Sequence, residues 1–203
     1  MKIVIIKYNA GNISSVTFAL ERLGIFPIIT EKPEEILSAD KVIFPGVGEA
    51  SSTMKHLKMH KLDTVIQQLK QPVLGICLGM QLLCKHSAEG NTPCLGIFDQ
   101  HVLGFETQNQ PQTEKQKIPH VGWNNFIAFK DTANPLFAGL QTKDYVYFVH
   151  SFFVEVGSQT TAITDYILPF SAALQKDNFY AVQFHPEKSG EVGEKILKNF
   201  VRA

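Results

Sequence analysis

Four short runs in the first half of the chain, KIVII (residues 2–6), FPIIT (26–30), KVIF (41–44) and PVLGI (72–76), are largely apolar and separated by helix-period segments. A strand with one face in water alternates apolar and polar residues, whereas an uninterrupted apolar run implies cover on both faces. The intervening segments supply that cover. Val16, Ala19, Leu20 and Leu23 fall at i, i+3, i+4 and i+7, one face of a helix that Gly24 is placed to end. KPEEIL reads as a short helix with Pro33 in its first turn. A further helical stretch, broken near His60, carries Leu62, Val65, Ile66 and Leu69 on its later apolar face. LGMQLLCKHS (78–87) reads as the helix after the fourth strand. This order specifies an α/β fold with a mostly parallel central sheet flanked by helices.

The second half adds antiparallel strands. NFIAF (125–129), YVYFVHSFFVEV (145–156) and TAITDY (161–166) are strand-like, and FSAALQKDNFYAVQFH (170–185) reads as two strands joined at KDN. A closing helix presents Val192, Ile196, Leu197, Phe200 and Val201 on one face. Residues 106–117, ETQNQPQTEKQK, are polar and Gln-rich, as expected of a mobile surface loop. No internal repeat or linker divides the chain, so residues 1–203 read as a single domain.

Charge narrows the function classes. Lys plus Arg and Asp plus Glu are 19 each, which leaves no electrostatic footprint for nucleic acid. No apolar run approaches the length of a membrane span, and MKIVII is too short for a signal-peptide core. Three cysteines without framework spacing suit a reducing cytoplasm.

One of those cysteines, Cys77, ends the fourth apolar run within the pattern Gly75-x-Cys77-x-Gly79. Small neighbours are what a nucleophile elbow requires, because the chain turns sharply and holds strained dihedrals at the nucleophile. The turn puts the sulfur at the C-terminal edge of the sheet and beside a helix N-terminus, whose free N–H groups favour a thiolate. Taken alone, the pattern fits a packed core cysteine equally well. Cys84 and Cys94 have no such setting and read as packing.

A nucleophile needs a base, and the base needs an orienting group. AVQFHPEKS places His185 and Glu187 one residue apart after an apolar strand, so an extended chain projects both to one side. Pro186 between them removes an N–H and argues against an inner ladder there. A lone His-x-Glu reads as a surface pair; beside an elbow cysteine it reads as base and orienter. An oxyanion formed in acyl transfer needs N–H donors. The backbone of Leu78 is one, and PGVG (45–48), otherwise a plain turn, offers a second through glycines that permit a flip. His56 and His60 stand at i and i+4 but lack a third ligand, so they read as a solvated face and no metal site is expected. His150, within YFVHSFF, reads as structural.

PGVG, GICLGMQLL and FHPEKS, in that order, resemble the class I (triad) glutamine amidotransferases. YNAGNISSV, IPHVGWN and YFVHSF are most similar to those members that feed ammonia to a (β/α)8-barrel cyclase subunit in histidine biosynthesis. The resemblance covers essentially the whole chain. It implies that Cys77 attacks the side-chain amide of L-glutamine to give a glutamyl thioester. His185 would protonate the leaving ammonia and then activate water, with Glu187 orienting it. Gly46, Val47 and Leu78 would surround the oxyanion through backbone groups. Gly48, Gln81, Glu89 and the backbone of His150 and Ser151 would hold glutamine. Asn12, Trp123, Tyr147 and Lys188 match positions near the cyclase interface and ammonia passage.

The same resemblance implies a heterodimer with the cyclase subunit, no cofactor, and neither nucleic acid nor membrane as partner. Because PGVG can flip, low glutaminase activity alone is expected, rising when the cyclase binds its nucleotide ligand. The family commonly has an acidic residue where this chain has Lys7, and glycine where it has Asn9. Two other readings are a glutaminase for anthranilate or pyridoxal phosphate synthesis and a cysteine hydrolase of similar fold. PHVGWN and YFVHSF argue against the first, and Gln81 together with HPEKS against the second.

Overall fold

Val4 and Ile6 project from one face of the first strand and Ile3 and Ile5 from the other, and the two pairs belong to different apolar clusters. That division runs through the molecule, seen in a computed structural model that describes residues 1–9, 11–107 and 116–203. The first half comprises β1 (Ile3–Ile6), α1 (Ile13–Glu21), β2 (Ile28–Thr30), α2 (Pro33–Leu37), β3 (Lys41–Phe44), α3 (Ala50–Met59), α4 (Leu62–Gln68), β4 (Val73–Ile76) and α5 (Leu78–Leu83). The second begins with β5 (His86–Ser87), β6 (Thr92–Pro93), β7 (His101–Gly104), β8 (His120–Asn125) and β9 (Ala128–Phe129). It continues with β10 (Tyr145–His150), β11 (Phe152–Val154), β12 (Thr160–Asp165), β13 (Pro169–Lys176), β14 (Phe179–Val182) and α6 (Gly190–Arg202).

The main sheet runs β2-β1-β3-β4-β14-β13-β11-β7-β5-β6, with β12 on β13 and β9 on β12. Pairing is parallel from β2 to β14 and antiparallel from β13 to β7. The expected parallel core with added antiparallel strands is therefore present. Ile36, Met54, Leu57, Leu62 and Ile66 of α2, α3 and α4 cover one face. Val16 and Leu20 of α1, Ile196, Leu197 and Phe200 of α6, and a cluster of phenylalanines cover the other. Each fully buried side chain of this size contributes about 1.5–3 kcal/mol relative to exposure, so covering both faces is the main force ordering the sheet.

Local signals mostly locate the element ends. Beyond α1, Gly24 at φ +77° lets Gly24 N–H reach the carbonyl of Glu21 and Ile25 N–H that of Leu20. The break between α3 and α4 falls at His60 and Lys61, the latter at φ 56°. β13 and β14 turn at Asp177, φ 51°.

Three expectations need correction. The helix expected over 78–87 stops at Leu83, because His86 and Ser87 pair with β6 and β7 instead. The run 145–156 divides at Ser151: β10 pairs with β8 in a separate two-stranded sheet, while β11 joins the main sheet. In NFIAF only Ala128–Phe129 and the end of β8 are strand, since Phe126 turns inward and its N–H bonds to Thr142. Of the Gln-rich segment 106–117, residues 108–115 lie outside the described residues.

Candidate active site

Cys77 sits where β4 stops and α5 starts, between the ends of β3 and β14. Its N–H continues the ladder to Val182 O at 2.8 Å, and its carbonyl accepts from Gln81 N–H at 3.2 Å, already helical. The reversal holds Cys77 at φ 52°, ψ −109°, a conformation that costs a non-glycine residue about 1–3 kcal/mol. Close backbone packing imposes it. A Cβ on Gly79 would lie 2.0 Å from Phe44 O, and one on Gly46 2.4 Å from Gly79 N, so only glycines let the β3 loop meet α5.

His185 and Glu187 are buried in the adjoining loop after β14, with His185 Nδ1 2.7 Å from Glu187 Oε1. Extended alternation is not what joins them. Pro186–Lys188 form one 3₁₀ turn, in which the Lys188 N–H bonds to His185 O and the Ser189 N–H to Pro186 O. Ser189 Oγ also donates to His185 O at 2.6 Å, and the curled chain folds the carboxylate back onto the ring. Glu187 Oε1 accepts a second bond, 3.2 Å from Asn12 Nδ2.

Burial opposes protonation of His185, but the Cys77 sulfur and the Glu187 carboxylate outweigh it and raise the imidazole to about 10. Its Nε2 is buried and makes no hydrogen bond of ordinary geometry. The ring is thus held as an imidazolium at neutral pH, next to a sulfur.

Beside Cys77 opens a cavity of about 330 Å³, lined by all five residues expected to hold substrate: Gly48, Gln81, Glu89, His150 and Ser151. Val47 and Leu78 also line it, and Pro119, Val149 and Phe152 are walls the sequence did not announce. Burial raises Glu89, while its carboxylate accepts the N–H of Ala50 at 2.8 Å. The His150 ring faces away from solvent, its Nδ1 2.8 Å from Phe152 O and its Nε2 2.9 Å from His120 Nδ1. Burial and then the neighbouring His120 lower His150 to about 3, so its side chain is a neutral structural group, as expected. At the expected oxyanion position, the N–H of Leu78 bonds to Gly46 O at 3.4 Å and Gly11 N–H to Val47 O at 3.2 Å.

The four expected interface positions form a connected rim. Trp123 and Tyr147 are register partners in the β8–β10 pair with rings 6.0 Å apart, and Trp123 is 54% exposed. His185 N–H bonds to Tyr147 O, Lys188 is exposed on the next turn, and Asn12 reaches the same loop through Glu187. Elsewhere, Cys84 is fully buried and Cys94 partly so, both with thiols raised by burial. His56 and His60 stack at 4.2 Å, and the fold brings Glu31 to them as a third donor within 4.8 Å. Two of these three are exposed, and none lines the cavity. Gln183, buried against Cys77 and Gln81, is a site residue that sequence reasoning missed. The available signal was a lone amide in the apolar run YAVQFH. Among the described residues, no helix is long and apolar enough to cross a membrane.

The glutamine amidotransferase class I family profile matches residues 5–203. Imidazole glycerol phosphate synthase subunit HisH of Bacteroides fragilis is 58% identical over 201 residues, 99% of each chain. The protein of that name from Vibrio parahaemolyticus is 46% identical over 206 residues, 98% of this chain and 97% of the other. Among solved structures, a GMP synthase component of Thermoplasma acidophilum superimposes with a TM-score of 0.71 at 20% identity, covering 100% of this chain and 93% of that one. That likeness speaks for the fold alone. An elbow cysteine facing a buried His–Glu pair, on a sequence more than half identical to a named relative throughout, leaves one assignment: the chain belongs to the class I glutamine amidotransferases and, within them, to the HisH family of imidazole glycerol phosphate synthase subunits.

Proposed function

We propose that Cys77, His185 and Glu187 hydrolyse L-glutamine to L-glutamate and ammonia, and that the ammonia passes to a (β/α)8-barrel cyclase subunit. That partner would use it to form imidazole glycerol phosphate and aminoimidazole carboxamide ribotide. The observation that carries the reading is the 2.7 Å bond from buried His185 to buried Glu187, on a ring raised to about 10 next to Cys77. In this reading His185 takes up the Cys77 proton, so that the sulfur attacks as a thiolate beside an imidazolium.

Attack on the carboxamide carbon forms the C–S bond and sends the π electrons to oxygen. Collapse of the tetrahedral adduct breaks the C–N bond, and His185 delivers its proton to the departing nitrogen, giving ammonia and a thioester. The now neutral ring takes a proton from water, whose oxygen attacks the thioester; glutamate leaves and the ion pair is restored. Glu187 holds the ring through Nδ1 and keeps Nε2 turned to the reacting groups. Gln81, Glu89, Gly48 and the backbone at His150 and Ser151 would seat glutamine in the cavity. Gly46, Val47 and Leu78 would enclose the oxyanion. The rim of exposed Trp123 and Lys188 and half-buried Asn12 and Tyr147 would meet the cyclase.

Glutamate formation is the test, measured for the chain alone and together with the cyclase and its nucleotide substrate. Turnover in the complex, abolished by Cys77→Ala, is expected. Activity that survives Cys77→Ala would overturn the assignment of the nucleophile, and its absence under every condition would overturn the enzyme reading.

A further inference from the structure

Gln183 is fully buried directly after β14, and its side-chain amide lies between two residues of the site. Its Oε1 is 3.0 Å from Gln81 Nε2, and its Nε2 is 3.7 Å from Cys77 Sγ. Amide oxygen and nitrogen are not interchangeable here, because the chain of bonds has a fixed end. The Phe152 carbonyl can only accept, so the Gln81 group 2.9 Å from it must be the NH₂. The other hydrogen of that NH₂ serves Gln183 Oε1. Gln183 must then turn its own NH₂ toward the sulfur. One backbone carbonyl thereby sets the orientation of two amides in succession.

Two consequences follow. The sulfur gains an N–H donor, which favours its charged form over its neutral one. Both hydrogens of the Gln81 amide are engaged, so its oxygen, which accepts no bond from the described residues, is left as the free group of a side chain lining the cavity. We propose that Gln183 is a further catalytic residue, which donates to the Cys77 sulfur and locks the Gln81 amide with its oxygen available to the bound amino acid. The part concerning Gln81 and ligand rests on the glutaminase reading above, whereas the contact with the sulfur does not.

Alkylation by iodoacetamide, followed against pH on the full chain without glutamine or partner, separates the two. In Gln183→Met, similar in length but without donor or acceptor, the midpoint for alkylation of Cys77 is expected to rise by about one pH unit. With glutamine and the cyclase present, KM is expected to rise about tenfold in the same variant, as a mobile Gln81 amide no longer presents its oxygen. Gln183→Glu keeps an acceptor for Gln81 but sets a carboxyl group against the sulfur, so the midpoint should rise while KM changes less than in Gln183→Met. An unchanged midpoint in both variants overturns the proposal. A shifted midpoint in a chain without glutaminase activity sinks the functional reading and leaves the contact standing. Should both variants fail to fold, the wild type still decides. The side-chain amide resonances of Gln183 are expected to move as Cys77 titrates and to stop moving in Cys77→Ala, and amide signals indifferent to Cys77 overturn the proposal.

Discussion

The backbone N–H of Leu78 bonds to the carbonyl of Gly46 at 3.4 Å, so a donor expected to meet an oxyanion is occupied by an oxygen of its own chain. On the proposed reading a carbonyl and an oxyanion would repel each other in that space, and the peptide after Gly46 would have to turn before both donors point inward. Glutamate formation by the isolated chain should therefore be at least about tenfold slower than in the complex with the cyclase and its nucleotide, since one oxyanion donor is commonly worth about 10²–10³. Steady-state assays in the two conditions give the ratio, and equal rates would mean that the bond to Gly46 does not gate catalysis.

Gly79 packs against β3 so closely that a Cβ would sit 2.0 Å from the carbonyl oxygen of Phe44. Both sides are backbone and neither can yield by rotating a side chain. Gly79→Ala is expected to cost about 3 kcal/mol, the upper end for overpacking, and to lower the Tm by about 6–12 °C. Calorimetry measures it; a Tm within about 2 °C of wild type, on the order of ordinary surface substitutions, would contradict the close approach.

Glu187 Oε1 serves both His185 and Asn12. Glu187→Gln removes the charge that helps raise His185, so kcat should drop by about 10² or more and the alkaline limit of kcat/KM should move to lower pH. Asn12→Ala leaves the carboxylate its histidine partner, and a smaller loss of about threefold to tenfold is expected. A pH–rate series on the three proteins, each in complex, ranks them; an Asn12→Ala loss equal to that of Glu187→Gln would contradict this order.

His120 and His150 are lowered to about 4 and about 3, in both cases chiefly by burial. Their folded values lie below the ordinary histidine value of 6.5, so below that pH the unfolded chain binds more protons. Stability contributed by these neutral rings is present above pH ~6.5 and is lost as pH falls toward 3–4. His185 has the opposite sign: its contribution is full below pH ~6.5 and is lost as pH rises through about 10. His120 lies between Tyr166 and Phe148, at ring distances of 3.9 and 4.9 Å, so His120→Phe keeps the stacking. That variant should flatten the acid limb of urea midpoints between about pH 7 and 4, and lower stability at pH 7 by about 1–3 kcal/mol, as His150 Nε2 loses its partner. An acid limb as steep as wild type would contradict the assignment.

Cys77 lines the cavity, while Cys84 is fully buried among apolar side chains and its thiol is raised. Native alkylation should modify Cys77 and spare Cys84, as peptide mapping can establish, and Cys84→Ala should leave glutaminase turnover within about twofold of wild type. Native modification of Cys84 at a rate equal to that of Cys77 would contradict this burial.

Several features were legible in the chain because they are local. Uninterrupted apolar runs such as KIVII and PVLGI must be buried on both faces, and short-range periodicity located α1 and α6 around them. Gly75-x-Cys77-x-Gly79 announced a sharp turn through its small residues, although the contact that demands glycine at 79 comes from Phe44 of β3. What tertiary structure alone decided involves residues far apart in sequence. Ser151 divides one apolar run between two sheets, since only the pairing partners β8 and β7 distinguish its halves. Asn12 and Gln183 meet the site across 175 and 106 residues of chain, which no periodicity encodes. His185 and Glu187 were identified by type and spacing, but the 3₁₀ turn that faces one to the other is held by hydrogen bonds through Ser189. Residue chemistry is written position by position, whereas orientation at a site is set by which backbone groups remain to be satisfied once the sheet has formed.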